Sequence, residues 1–303
     1  MPHQQPAAPS SHQHTEPHQP ALFDSPGDGE QAELPLEIPA PQAIAQPVMT
    51  AADSATVTGP QPARIDWAQV PADPTVSWTE QPVATFDLET TGRDATSCRI
   101  VTASVLLVAA DGTVFGEWEW LVNPGVEIPD GAAAIHGITT EHAQENGVAA
   151  TTAVAQILDL MGELFSHGIP VLAFNAAYDF TVLEAEARRH GLRSPQPRPV
   201  LDPYVLHKHV RERWRGKRTL VALSEAYGIS LLSAHTSAAD ALAAVQLAQL
   251  LAREHPDLEV PAESLHQSQI GWSQEQAASF QEHLRGKKND PTLVINGDWP
   301  LRQ

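Results

Sequence analysis

Asp87 and Glu89 stand two residues apart in the run Phe86-Asp87-Leu88-Glu89-Thr90-Thr91-Gly92, at the end of an apolar stretch that begins at Val83. Alternate residues of a strand project to one side. Both carboxylates therefore leave the same face of one strand, at the border of an apolar core. Like charges that close repel, and each is costly to desolvate. A divalent cation between them relieves both costs, and hard oxygen ligands suit Mg²⁺ or Mn²⁺. Thr90, Thr91 and Gly92 end the strand with small residues, which leaves room for a ligand to approach the backbone.

Two further stretches carry acids where the chain changes direction. Phe174-Asn175-Ala176-Ala177-Tyr178-Asp179-Phe180 falls where a short buried strand hands over to a helix. Asn175 is suited to fix that turn. Asp179 falls in the first helical turn, where the helix dipole favours a negative charge. In His235-Thr236-Ser237-Ala238-Ala239-Asp240, Ser237 is placed to cap a helix, with Asp240 three residues on as in a capping box. Capping accounts for Asp179 and Asp240 taken singly, but not for His235. A histidine just before a helix opens, with an acid in its first turn, can aim both groups at one point.

The pattern predicts elements able to position these groups. Strands are expected at Val83–Leu88, Arg99–Val108 and Thr113–Val122, forming an antiparallel meander. Asp111-Gly112 is the hairpin signal between the last two. Val154, Ile157, Leu158, Met161, Leu164 and Phe165 mark one face of a helix, which His167-Gly168 and Pro170 end. Pro170–Phe174 reads as a buried strand, followed by a helix to His190-Gly191 and a short strand at Val200-Leu201. Helices follow at about 202–210, 219–227 and 237–254. Strands first, then strands alternating with helices, imply an α/β fold with a mixed sheet flanked by helices. Beyond His255-Pro256, Ser273 and Gln276 read as a capping box for a helix continued by Ala277, Phe280 and Leu284. Residues 287–303 are expected to fold back, because Leu293, Val294, Ile295 and Trp299 want burial. Three segments result: a tail, 1–80; a domain, 81–255; and a C-terminal helical extension, 256–303.

Composition supports that division. Residues 1–80 hold 14 of the 26 prolines, ten acidic residues and one basic residue, with no sustained apolar period. Such a segment cannot bury enough surface to offset its ordering entropy, and disorder is expected. No apolar run reaches the roughly 18 residues of a membrane span, and no basic-then-apolar leader opens the chain. The single cysteine, Cys98, excludes an internal disulfide and fits a reducing cytoplasm. A net charge of −19 argues against a general polyanion binder. Residues 207–218 are the local exception, with six Lys or Arg and one acid. They are a candidate phosphate contact or a solvated face, and Trp214 within them can stack on a base or pack in the core.

The order Asp-x-Glu on the first strand, Asp after a later strand, and His-x4-Asp opening the last long helix resembles the DnaQ-like 3′–5′ exonucleases of the DEDD type. The histidine marks their DEDDh branch, whose best-known member is the proofreading epsilon subunit of bacterial DNA polymerase III. Ile135-His136-Gly137-Ile138-Thr139 is similar to the family's loop near the substrate's 3′ end. The resemblance covers about residues 81–255. It implies a ribonuclease H-like fold and two Mg²⁺ or Mn²⁺ ions held by Asp87, Glu89, Asp179 and Asp240, with Asp87 bridging. It further implies His235 as general base, with Thr90, Thr91, Gly92, Ile135, His136 and Asn175 contacting the substrate. The family often has His where Phe174 stands, and a packing change with retained activity is expected there.

The reaction implied is hydrolysis of DNA 3′ ends, single-stranded or frayed, to nucleoside monophosphates, in proofreading or repair. The same site would serve RNA trimming, with discrimination resting on the 2′-hydroxyl. A non-catalytic, polymerase-associated module would be expected to have lost ligands, whereas all five groups are present. No polymerase domain is evident, so a polymerase or clamp would be met in trans, and the tail is a possible tether.

Overall fold

The computed structural model describes residues 64–230 and 237–302. His235 and the first 63 residues, with the disorder expected of them, lie outside the described part.

Three long strands form the meander: β1 (Val83–Thr90), β2 (Ile100–Val108) and β3 (Val114–Asn123). Both β1/β2 and β2/β3 pairs are antiparallel. The turn between the last two follows from its residues: Gly112 takes φ +87°, and the Asp111 carboxylate accepts the Thr113 N–H at 2.9 Å. The remaining strands are short: β4 (Val148–Ala149), β5 (Val171–Leu172) and β6 (Val200–Leu201). They pair in parallel to give one six-stranded sheet of order β4-β3-β2-β1-β5-β6. β1 therefore sits inside the sheet, where its register is fixed from both sides.

Between β3 and β4 lie α1 (Asp130–His136) and α2 (Thr140–Asn146), each too short to show a period in sequence. They replace the loop expected over Ile135–Thr139: Ile135 and His136 close α1, Gly137 caps it at φ +79°, and Thr139 caps α2 by accepting the His142 N–H. α3 (Ala150–Ser166) buries Val154, Ile157, Leu158, Met161 and Leu164 of the six residues its pattern marks, leaves Phe165 partly exposed, and is followed by Gly168 at φ +72°. α4 (Ala176–Arg189), α5 (Pro203–Val210), α6 (Leu220–Ala226) and α7 (Ser237–Glu254) match the expected helices within a few residues.

Two sheet faces make two apolar clusters. Ala84, Phe86 and Leu88 of β1 pack with α3 and α4, while Val83 joins Leu106 and the α7 residues Ala244, Val245, Leu247, Ala248 and Leu251. Strand alternation thus assigns Val83, Thr85, Asp87 and Glu89 to the α7 face.

The C-terminal region differs from its sequence reading. α8 runs unbroken from Ala262 to Lys288, so Ser273 is mid-helix and caps nothing; the helix starts after Pro261. Pro at the cap position and a buried Leu265 outweigh the local Ser-x-x-Gln signal. α8 covers the open edge of β6. His266 Nδ1 accepts the Val200 N–H (3.1 Å), Gln269 Oε1 accepts the Asp202 N–H (2.7 Å), and Gln269 Nε2 donates to the Val200 carbonyl (3.1 Å). Two buried side chains thereby meet backbone groups that would otherwise lack a strand partner. Trp299 is buried as expected, whereas Val294 is 74% exposed.

Residues 64–80, read as tail, also belong to the fold. Trp78 is 1% exposed and its indole donates to the Leu258 carbonyl at 2.9 Å. Trp67 stacks on His167 at 3.6 Å between ring centroids and donates to Glu163. Two tryptophans, with Ile65 and Val70 in the core, outweigh the proline content around them.

Candidate active site

Asp87 and Glu89 leave β1 opposite Ser104 and Thr102 of β2, and a register irregularity follows at Glu89/Thr90. On its other side β1 pairs with β5 only at Ala84 and Thr85, and that pairing ends before the carboxylates are reached. The carboxylates consequently stand where the sheet splays open. α7 packs across β1 and β2 and brings Asp240, in its first turn, over the same end. α4 starts beside them and places Asp179, 4% exposed, next to Leu88.

Through-space coupling links Asp87 to Asp179, Glu89 and Asp240, which puts the four acids in one neighbourhood. Burial, then Asp179, Glu89 and Asp240, hold Asp87 well above the usual carboxylate range. Burial and then Asp240 push Glu89 up to about 7. Asp179 is also raised, chiefly by burial, although backbone N–H groups of its own residue and of Leu88 favour its charged form. Among the described residues, side chains do not close into a ready cage of three or more metal ligands. The carboxylates stand apart and act on one another through space. A set of hard oxygens, of which Asp87, Glu89 and Asp179 are destabilised in their charged form, fits a hard divalent cation, which would favour that charged form.

The small residues after Glu89 are tied to α4. The Tyr178 hydroxyl donates to the Gly92 carbonyl at 2.6 Å and lies 2.5 Å from Thr90 Oγ1. Thr91 Oγ1 accepts the Arg99 N–H at 3.0 Å. The buried Cys98 thiol, 3.7 Å from the Tyr178 hydroxyl, belongs to this packing. A Cβ at Gly92 would meet only Cys98, at an ordinary 3.9 Å. Internal packing therefore does not demand glycine there.

α1 packs on Val101 through Ala132 and Ala133. Ile135 is 50% exposed on it. The His136 ring accepts the Ile138 N–H, its Nε2 is buried without a partner among the described residues, and burial lowers its basicity.

Asn175 does not cap α4 with its side chain. It adopts φ +63°, ψ +46°, a left-handed conformation that Asn tolerates better than most residues. The cap comes from Asp202, which sequence reasoning missed. Its carboxylate accepts the N–H groups of Asn175 and Ala176 (2.9 Å each), that of Tyr204 (3.0 Å), and the Trp299 indole (3.2 Å). One buried acid thus caps both α4 and α5. Burial outweighs its four donors and pushes the carboxyl up to about 6. The available signal was Asp202-Pro203, an acid just before a proline at a helix start. Asp202→Ala is expected to cost about 3 kcal/mol in urea unfolding, because buried donors lose their acceptor.

Of the basic stretch, Arg211 pairs with Glu254 at 2.6 Å, and Arg218 donates to the Arg211 carbonyl at 2.7 Å. Trp214 packs against Tyr227 and His207, while Arg213, Arg215 and Lys217 face solvent. Phe174 meets Tyr204 edge-on at 5.7 Å, in keeping with a packing role. Among the described residues, no helix is long and apolar enough to cross a membrane.

A family model described as Exonuclease matches residues 85–248. The chain is 31% identical over 190 residues to a protein of Mycobacterium tuberculosis named as a bifunctional exonuclease/endonuclease, covering 61% of this chain and 28% of that one. It is 32% identical over 165 residues to a DNA polymerase III subunit epsilon-like protein of Rhodobacter capsulatus, covering 53% and 22%. The chain thus spans about a quarter of the length of these curated relatives. In fold it is similar to E. coli exonuclease I, solved in complex with a dT13 oligonucleotide, at TM-score 0.50 and 21% identity over 58% of this chain and 42% of that one.

Proposed function

The chain belongs to the DnaQ-like exonuclease family, and from that premise we propose that it removes nucleotides one at a time from DNA 3′ ends in a divalent-cation-dependent hydrolysis. The observation that carries this reading is the convergence of Asp87, Glu89, Asp179 and Asp240, each drawn from a different turn of the fold or strand position to one end of β1. The epsilon-like name of the Rhodobacter relative supports DNA as the polymer.

In this reading the four carboxylates hold the cations, with Asp87 central because three other acids act on it. Two bound Mg²⁺ or Mn²⁺ ions would stabilise the negative charge that develops on the attacking and leaving oxygens. His235 accepts the proton of the attacking water, since imidazole titrates near neutral pH. The turn Thr90-Thr91-Gly92, braced by Tyr178, supports the terminal nucleotide. Exposed Ile135 offers an apolar surface to its base, and His136 lies beside it. Asp202 positions Asp179 by holding the Asn175-Ala176 turn. A polymerase or clamp is the partner proposed in trans, and the cytoplasm the place of action.

Matched DNA and RNA oligonucleotides of one sequence, digested side by side, test the substrate class. DNA is expected to be shortened at least about tenfold faster. The opposite ranking would reassign the site to RNA trimming, in which a 2′-hydroxyl contact contributes to recognition.

A further inference from the structure

Three cations gather around Tyr204, beside Asp202. Lys208, one turn along α5, holds its ammonium 5.0 Å from the Tyr204 ring centroid. Arg218 is fixed at the other end of α5 by bonds from Nε to the His207 ring (3.3 Å) and from a terminal nitrogen to the Arg211 carbonyl (2.7 Å). Arg302 comes from the C-terminal segment, outside residues 85–248 of the family match. Its backbone N–H donates to Thr181 of α4 at 3.0 Å, three residues after Trp299 has bonded Asp202.

None of the three has a carboxylate within ion-pair distance among the described residues. Asp202 is the nearby acid, but both its oxygens already serve four N–H donors. Burial first, then Arg218, with Arg302 also contributing, lower Lys208 to about 8 against the opposing pull of Asp202. Among the described residues, Arg302 Nε is buried with no hydrogen-bond acceptor, which leaves a donor unfilled. All three residues, and Tyr204, remain part-exposed, so the cluster is open to a ligand. It also adjoins the active site. Asp202 acts on Asp179 as well as on Lys208 and Arg302, and Tyr204 touches Phe174, the residue before Asn175.

We propose that Lys208 and Arg302, in the field of Arg218, form a phosphate-binding site that takes a backbone phosphodiester of the single strand whose 3′ end lies at the carboxylates. An oxyanion supplies what the cluster lacks: charge to offset three cations and acceptors for the unfilled guanidinium and ammonium donors. This site rests on the nuclease reading above, and the strand, not a duplex, is its partner.

Anisotropy of a fluorescein-labelled oligothymidylate, measured with chelator present across a salt series, tests it. Lys208→Gln and Arg302→Gln are each expected to weaken binding about fivefold near 0.1 M salt and to reduce the slope of log K against log salt by about 0.7, the share of one single-strand phosphate contact. Arg302→Lys should retain most of both. Thermal melts check that each variant folds, and the Lys208 variant stands if the Arg302 variant does not. Unchanged affinity and slope in both Gln variants overturn the site. A parallel arm uses inorganic phosphate alone. Stabilisation of the wild type by phosphate, lost in Arg302→Gln while the oligonucleotide slope stays unchanged, would overturn the assignment to the strand in favour of a free phosphate. Wild-type digestion with Mg²⁺ is scored separately, so binding without cutting would count against the nuclease reading and leave the site intact.

Discussion

Asp87→Asn and Asp240→Asn proteins are expected to fold normally and to lose digestion of DNA 3′ ends by about 10³-fold or more. Both residues sit where like charges meet. Neutralising one relieves repulsion within the apo protein and removes a ligand the bound cation needs. Stability and activity should therefore move in opposite directions. The apo variants should match or exceed the wild type in urea unfolding, and Mg²⁺ should raise the wild-type Tm more than theirs. Glu89 gives the same expectation a pH dependence. Burial and then Asp240 raise it from 4.5 to about 7. A carboxyl whose folded pKa lies above its unfolded value contributes stability that is fully present below the unfolded pKa and lost as pH rises through the folded one. Without cation, the wild type should thus lose stability relative to Glu89→Gln between about pH 4.5 and about pH 7. Saturating Mg²⁺ should remove that loss. Paired urea melts at the two ends of the window check it. Parallel curves for the two proteins, with and without cation, would sink the shared-site electrostatics.

His235→Ala is expected to slow hydrolysis by about 10²–10⁴-fold, the range of a positioned general base. The fall should lie in the maximal rate, with Mg²⁺ affinity and oligonucleotide binding little changed. The descending acid limb of the pH–rate profile should flatten, because the group whose deprotonation it reports is gone. Reduced metal affinity that accounts for the whole effect would make His235 a structural neighbour of Asp240. In sequence, His235 stands two residues before Ser237, where α7 opens, and five before Asp240.

Much of this arrangement was legible in the sequence because local rules and the final fold agree. Period-2 alternation put Asp87 and Glu89 on one face, and β1 keeps them there. Gly112, Gly168 and Gly191 end elements where their sequence neighbours said they would, all at positive φ. The face of α3 buries five of the six residues its periodicity marks, Phe165 being partly exposed. What sequence missed is long-range. Asp202 caps a helix that begins 26 residues earlier, at Ala176, and no local window contains both. Gln269 and His266 cover an edge strand about 66 residues away. Ser273 matched a capping box by letter, but the helix already had its start at Pro261 and its burial set by Leu265. Trp67 and Trp78 show the reverse case, in which two large apolar anchors order a proline-rich segment that composition alone would leave unfolded.

The most direct test of the carboxylate site is digestion of a 5′-labelled single-stranded DNA, sampled over time with Mg²⁺ and with chelator. A ladder that shortens progressively from the 3′ end, present with Mg²⁺ and absent with chelator, is the result expected of four carboxylates that need a cation to act. Release of the label as a mononucleotide at the earliest times, or equal digestion in chelator, would contradict it.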